Sequence, residues 1–284
     1  MDFVSFARAH GVEIRDLEMG VRVYRCGTVD HPRSDNGAYS WDGKRGWVMA
    51  WDGDGLVHWF NDESQPWTAA DKVAANKRRE QQRRQNAEKQ RRAALKAEAI
   101  LTGCELKGHT YLRIKGFPNA MGLVTADGEL VVPMRALAGD LVGAQLIWSD
   151  PEGWHKKMIY GMRAKGAVLR LGDHNARETW LVEGYATGLS VAAALAQMHL
   201  RACVLACFSA DNLTYVAGLI GGKRFVAADH DESGKGEAAA KATGLPYCMP
   251  ENAGDDWNDA HVLRGLAPLR EALRATRMQE VVEA

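Results

Sequence analysis

The chain has 284 residues, 46% of them apolar and 25% charged, with 36 basic residues balanced by 36 acidic ones. That is the make-up of a globular protein with a core to bury, and no apolar run approaches the roughly 20 residues of a membrane span. Zero net charge argues at first against a nucleic-acid partner. The distribution matters more, because basic residues crowd the middle of the chain and a local stripe attracts phosphate whatever the total. Cys26, Cys104, Cys203, Cys207 and Cys248 form no Cys-x-x-Cys pair, as expected of reduced thiols in a cytosol-like compartment. The opening MDFVSFARAH has no apolar signal core, so no export is expected.

Residues 1–63 read as a small β-rich module. A short helix near Phe3 is followed by alternating runs at 21–24, 47–51 and 56–60, separated by Asp-Gly and Asn-Gly turns. Trp41, Trp47, Trp51 and Trp59 could stack unpaired bases, although the core of a small sheet is the favoured place for most of them. Residues 64–99 are rich in Ala, Gln, Glu, Lys and Arg and predict an exposed connecting helix from about Thr68, roughly 40 Å long. Its apolar stripe is mostly alanine and predicts little burial. Lys77, Arg78, Arg79, Arg83, Arg84, Lys89, Arg91 and Arg92 could track a phosphate backbone or simply face solvent.

Residues 100–175 alternate strands and turns, with strand candidates at 130–134 and 142–147. Residues 176–265 switch to βα units. Strands are predicted over 179–182, 202–206, 224–228 and 245–249, and helices over 187–200, 212–219 and 237–243. Carboxylates stand where the apolar runs stop: Glu183 after the first strand, Asp229 and Asp231 after the third. In parallel α/β sheets the ligand crevice lies beyond the carboxyl ends of the strands, which predicts that these three share one crevice. Clustered carboxylates repel one another and become stable together when hard cations bridge them. The helix predicted over 266–284 is amphipathic and either covers the sheet or meets a partner. Ser233-Gly234-Lys235 and Gly221-Gly222-Lys223-Arg224 do not fit the P-loop pattern, so no ATPase motor is expected.

Glu183-Gly184, Asp229-x-Asp231 and the downstream Asp256 and Asp259 together resemble the Toprim domain shared by DnaG-type primases, topoisomerases and certain nucleases. VEGYATGLS and DDWND are similar to tracts of phage and plasmid primases, where Lys often stands in place of Asp255. The preceding segment resembles the basic subdomain of the same primases, through Lys115-Gly116, Pro133, Arg135, Gly143, Gln145, Lys157 and Gly161. The resemblance implies an α/β fold: a Rossmann-like parallel Toprim sheet with flanking helices, preceded by a mixed α+β subdomain and the β-rich N-terminal module. It implies a nucleotidyltransferase of the primase class, making short RNA primers on single-stranded DNA in a bacterial cytosol. Two Mg²⁺ or Mn²⁺ ions would be held by Glu183, Asp229 and Asp231, with Asp256 or Asp259 assisting, and Glu183 could act instead as general base. Gly184 would let substrate approach the backbone. Lys115, Arg135, Lys157, Arg163 and Lys165 would handle nucleoside triphosphate and template. A separate replicative helicase would be the partner. Such primases begin with a zinc ribbon, but the N-terminal module offers only Cys26, His31 and His58, so no zinc is expected. A Toprim nuclease using the same metals, and a non-catalytic accessory protein binding single strands, are the alternatives.

Overall fold

Alternation of inward and outward residues shapes the N-terminal sheet. Helix α1 (Phe3–Ala9) starts at Asp2, whose carboxylate accepts from the Ser5 amide at 2.9 Å. It is followed by β1 (Val12–Glu13), β2 (Gly20–Thr28), β3 (Gly37–Trp41), β4 (Arg45–Ala50) and β5 (His58–Asn61), hydrogen-bonded in that order into one sheet. All four pairings are antiparallel. Tyr39, Val48, Ala50 and Phe60 point inward and pack on Phe3 and Ala7. Trp41 joins them, stacked on Phe3 with ring centres 4.5 Å apart. The strand bounds differ from those the alternation suggested: β2 is longer, while β4 stops at Ala50 and β5 starts only at His58. Trp51 lies in a turn, and the segment through Leu56 and Val57 is held out of the sheet. There the Leu56 amide bonds to Asp54 Oδ1 at 2.9 Å, and Gly55 adopts a φ of +66°.

The computed structural model describes residues 1–61 and 68–282. They divide into the units Met1–Gln81 and Gln82–Ala284, with the division inside α2 (Ala69–Thr102). The boundary expected between 63 and 64 lies outside the described residues. At 34 residues α2 is longer than expected, about 50 Å of helix. The alanine stripe also buries more than its thinness suggested. Ala93 and Ala97 are sealed against Val131, Ala144 and Ile159, since small side chains let the helix backbone lie close to a sheet.

The second unit continues with β6 (Glu105–Gly108), α3 (Thr110–Ile114), β7 (Met121–Val124), β8 (Leu130–Ala136), β9 (Leu141–Asp150), β10 (Gly153–Met158) and β11 (Ala167–Gly172). Then come β12 (Glu178–Val182), α4 (Tyr185–Gln197), β13 (Cys203–Ala206), α5 (Ala210–Ala217), β14 (Lys223–Ala227), α6 (Lys235–Thr243), β15 (Tyr247–Cys248), α7 (Trp257–Arg264) and α8 (Ala267–Val282). The main path of the sheet runs β10-β9-β8-β11-β13-β12-β14-β15, with β6 and β7 added beside β8. Strands β13, β12, β14 and β15 are parallel, as the βα pattern predicts. β11 is antiparallel to both β8 and β13, so the antiparallel half and the parallel half form one continuous sheet.

The parallel half is covered on both faces. Trp180, Val182, Val204, Ala206, Phe225 and Ala227 pack against α4, α7 and α8; Leu181, Leu205, Val226 and Ala228 pack against α5 and α6. Burial on both faces explains why these strands read as continuous apolar runs. Leu269 and Leu273 are fully buried, which places α8 against the sheet. Among the described residues no helix is long and apolar enough to cross a membrane.

Candidate active site

The chain leaves β12 for β13 on one side and then returns to β14 on the other. The carboxyl ends of β12 and β14 therefore flank a topological switch point, where an open α/β sheet leaves a crevice. Glu183 follows β12, and Gly184 caps α4. Asp229 follows β14 and sits within 3.4 Å of the Thr187 hydroxyl in the first turn of α4. The loop after Asp229 is laced to the segment that precedes α7. His230 donates its amide to Asp255 O at 3.0 Å, and its Nδ1 lies 2.9 Å from Pro250 O. This lacing brings Asp256 beside Asp229.

The electrostatics are those of a crowded carboxylate site. Burial pushes the Asp229 carboxyl up to about 7, and the charges of Asp256, Glu183 and Asp231 push the same way. Burial also raises Glu183, helped by Asp231 and Asp211. Asp231 behaves in the opposite sense. Its carboxylate accepts the Ser233 hydroxyl at 2.5 Å and the Gly236 and Lys235 amides at 2.8 and 3.1 Å, which hold it below the usual range. It is thus committed to the entry of α6. A side chain at Gly236 would collide with the Asp229 carbonyl, so the glycine lets α6 approach this closely.

Asp256 and Asp259 form a capping box. Asp256 Oδ1 accepts the Asn258 and Asp259 amides at 2.7 and 2.8 Å, and Asp259 Oδ2 accepts the Asp256 amide at 3.3 Å. Asp259 Oδ1 turns to Lys115 Nζ at 3.4 Å. Of the two, Asp256 is the one whose charge bears on Asp229. Beneath them lies a buried polar network: Asn258 Nδ2 donates to Lys115 O at 2.8 Å and to Ser190 Oγ at 3.0 Å, and Ser190 Oγ lies 3.1 Å from His261 Nδ1.

The basic residues separate. Lys115 joins the acidic crevice through Asp259. The Lys165 ammonium lies 4.4 Å from the Tyr215 ring centre, over a cavity of about 360 Å³ shared with Cys207, Asp211 and Asn212. Arg135 does not join the crevice. Its Nη1 donates to Gly139 O at 3.0 Å, and it lines a groove with Arg91, Leu95 and Glu98 of α2. Lys157 and Arg163 are exposed. In the N-terminal unit, His58 pairs with Asp54 at 2.7 Å and stacks on His10, while Cys26 packs against the core. Sequence reasoning missed Thr187 and Asp211. Both follow a strand by only a few residues, at the start of a helix, where the crevice rule places them.

A family model described as Toprim domain matches residues 178–267. These residues form a Toprim domain. The match spans β12 to the start of α8 and includes Glu183, Asp229, Asp231, Asp256 and Asp259. Among solved structures, the chain is similar to the RNA polymerase domain of Mycobacterium tuberculosis primase DnaG, with 18% identity, 63% of this chain and 71% of that one covered, and a TM-score of 0.35. It is also similar to a DnaG primase catalytic domain bound to single-stranded DNA (17%, 69% and 73%, TM-score 0.36) and to a DNA primase domain from Pseudomonas aeruginosa (18%, 65% and 58%, TM-score 0.36).

Toprim domains bind divalent ions such as Mg²⁺, and the donors of this Toprim domain suit one. Mg²⁺ and Mn²⁺ take hard oxygen ligands, and Mg²⁺ uses one or two carboxylates with waters and substrate phosphates. Asp229, raised by burial beside other acids, is a carboxyl that such a cation would return to its ionised form. The fit is to an open site completed by substrate. Among the described residues, no three His, Cys, Asp or Glu side chains already stand together as a ready cage.

Proposed function

We propose that the chain is a primase-type nucleotidyltransferase that joins ribonucleotides into short primers on single-stranded DNA. The observation that supports it is that Asp229, buried at the switch point of a Toprim domain, lies within electrostatic reach of both Asp256 and Glu183. Asp229 and Asp256 would hold the divalent ions, with Glu183 within electrostatic reach. When bound, two Mg²⁺ or Mn²⁺ ions supply charge neutralisation for the reacting phosphates.

The residues then divide the work. The primer 3′-oxygen bonds to the α-phosphorus of the incoming nucleotide, the bond to the β-phosphate breaks, and pyrophosphate leaves. Glu183, whose carboxyl burial and the charges of Asp231 and Asp211 raise above its ordinary value, accepts the proton of the 3′-hydroxyl. Asp231 stays ionised and fixes the amide-rich entry of α6. Asp259 orients Lys115, which faces the triphosphate, and Lys165 serves the same charge from the neighbouring cavity. Lys157 and Arg163 bind template. Gly184 keeps the backbone open to substrate, since a Cβ there would meet only Thr187 Oγ1, at 3.5 Å. The replicon would be a phage or plasmid in a bacterial cytosol, and the helicase a separate polypeptide.

The test is incorporation of radiolabelled ribonucleotides on single-stranded templates with Mg²⁺. Wild-type protein should make short products, and Glu183→Ala and Asp229→Ala should make none. Unchanged products from both variants refute the assignment. Cleavage of the template in the absence of nucleotides would instead identify a Toprim nuclease.

A further inference from the structure

The N-terminal sheet buries one face and leaves the β4–β5 part of the other accessible. Strand β4 alternates strictly: Gly46, Val48 and Ala50 are buried, while Arg45, Trp47 and Met49 face outward. On β5, Phe60 enters the core and Trp59 is left 73% exposed. Trp47 and Trp59 are direct cross-strand partners, so two indoles stand side by side on the same open face. An exposed tryptophan on an edge strand is an aggregation hazard that a sheet with no use for it would lose.

The surroundings of this pair are basic and concave. Trp47 and Trp59 line a groove of about 560 Å³ whose opposite wall is Ala75, Arg78 and Arg79 of α2. Arg45, which also lines the groove, is held by Asn61 Oδ1, which accepts from its Nε at 2.7 Å. Among the described lining residues the acidic one, Asp42, is occupied by the turn it closes. It accepts the Lys44 and Arg45 amides at 3.0 and 2.8 Å. Flat aromatic faces on one wall and guanidinium groups on the other match the two chemical parts of an unpaired strand. Bases stack on aromatic rings, and phosphates pair with arginine. A protein partner would bury the aromatic pair equally well, but it would not account for a facing wall of two arginines.

We propose that this groove is a second binding site, for single-stranded DNA, that works without divalent metal. Bases stack on Trp59 and Trp47, and the backbone runs along Arg78 and Arg79. The choice of DNA over RNA rests on the primase reading; stacking and charge pairing are indifferent to the sugar. The groove's described lining lies within 40–61 and 75–79, and none of these residues belongs to the acidic crevice.

The experiment is fluorescence anisotropy of a labelled oligothymidylate of about 16 nucleotides, a length within the span of single-strand sites, with the full chain in EDTA. Wild-type protein should bind. Trp59→Ala should weaken binding by about 5- to 150-fold, the cost of losing one stacked base, and Trp59→Phe should restore most of it. Because Trp59 is so exposed, these changes leave the fold intact. Arg78→Gln and Arg79→Gln should each lower the slope of log affinity against log salt by about 1. Glu183→Ala should bind as wild type does, so loss of primer synthesis there and loss of binding at Trp59 report separately. Absence of binding, equal binding by Trp59→Ala and wild type, or at least tenfold tighter binding of oligouridylate would overturn the proposal.

Discussion

Asp229→Asn isolates the electrostatic cost of the acidic crevice. An ordinary Asp titrates near 3.8, and this one at about 7. A carboxyl raised by folding keeps its proton in the folded state while the unfolded chain releases it. Folded protein therefore binds more protons between those two values, and stability falls as pH rises through that window. At pH 8 both states are ionised and the folded one bears the full penalty, roughly three pH units at about 1.4 kcal/mol each, or about 4 kcal/mol. The substitution keeps the shape and an oxygen for Thr187 but removes the charge. In EDTA at pH 8 the variant should be more stable than wild type by up to that amount, on the order of 10 °C in midpoint for a unit of this size. At pH 4 the difference should shrink toward zero. Millimolar Mg²⁺ at pH 8 should raise the wild-type midpoint and leave the variant's unchanged. Thermal melts at the two pH values decide it, and parallel pH dependence of wild type and variant would refute the reasoning.

Other expectations concern the frame around the crevice. Asn258→Ala removes a fully buried amide from Lys115 O and Ser190 Oγ and should cost about 2–3 kcal/mol in urea unfolding. Gly236→Ala drives a methyl into the Asp229 carbonyl; it should lose the Mg²⁺-induced rise in midpoint even where the protein remains folded, read by melts with and without metal. Leu273→Ala should destabilise by about 2–5 kcal/mol in urea unfolding, as a fully buried leucine does, because α8 packs into the core over the parallel strands rather than standing free as a docking helix.

Much of the Toprim domain was legible in the sequence because its strands are short apolar runs ended by carboxylates. Glu183 and Asp229 could be placed at strand ends before any coordinates. What local pattern does not encode is which carboxylate oxygens remain available. Asp231 looks equivalent to Asp229 in sequence, yet Ser233, Lys235 and Gly236 claim its oxygens. Asp256 and Asp259 looked interchangeable until the capping box and Lys115 divided them. Arg135 falls on the face of β8 opposite Met134, and the register that put it there depends on pairing with β9 and β11. Ala93 and Ala97 read as linker because alanine is apolar enough for a core and neutral enough for solvent. The tryptophans of the N-terminal sheet divided by face: Trp41 went into the core, and Trp47 and Trp59 stayed outside it.

The most direct measurement is the anomalous scattering of Mn²⁺ in crystals grown with the ion and a nucleoside triphosphate. The account predicts density against Asp229 and Asp256 with Glu183 in reach. Mn²⁺ bound elsewhere, with Glu183 and Asp229 left facing apart, would contradict it.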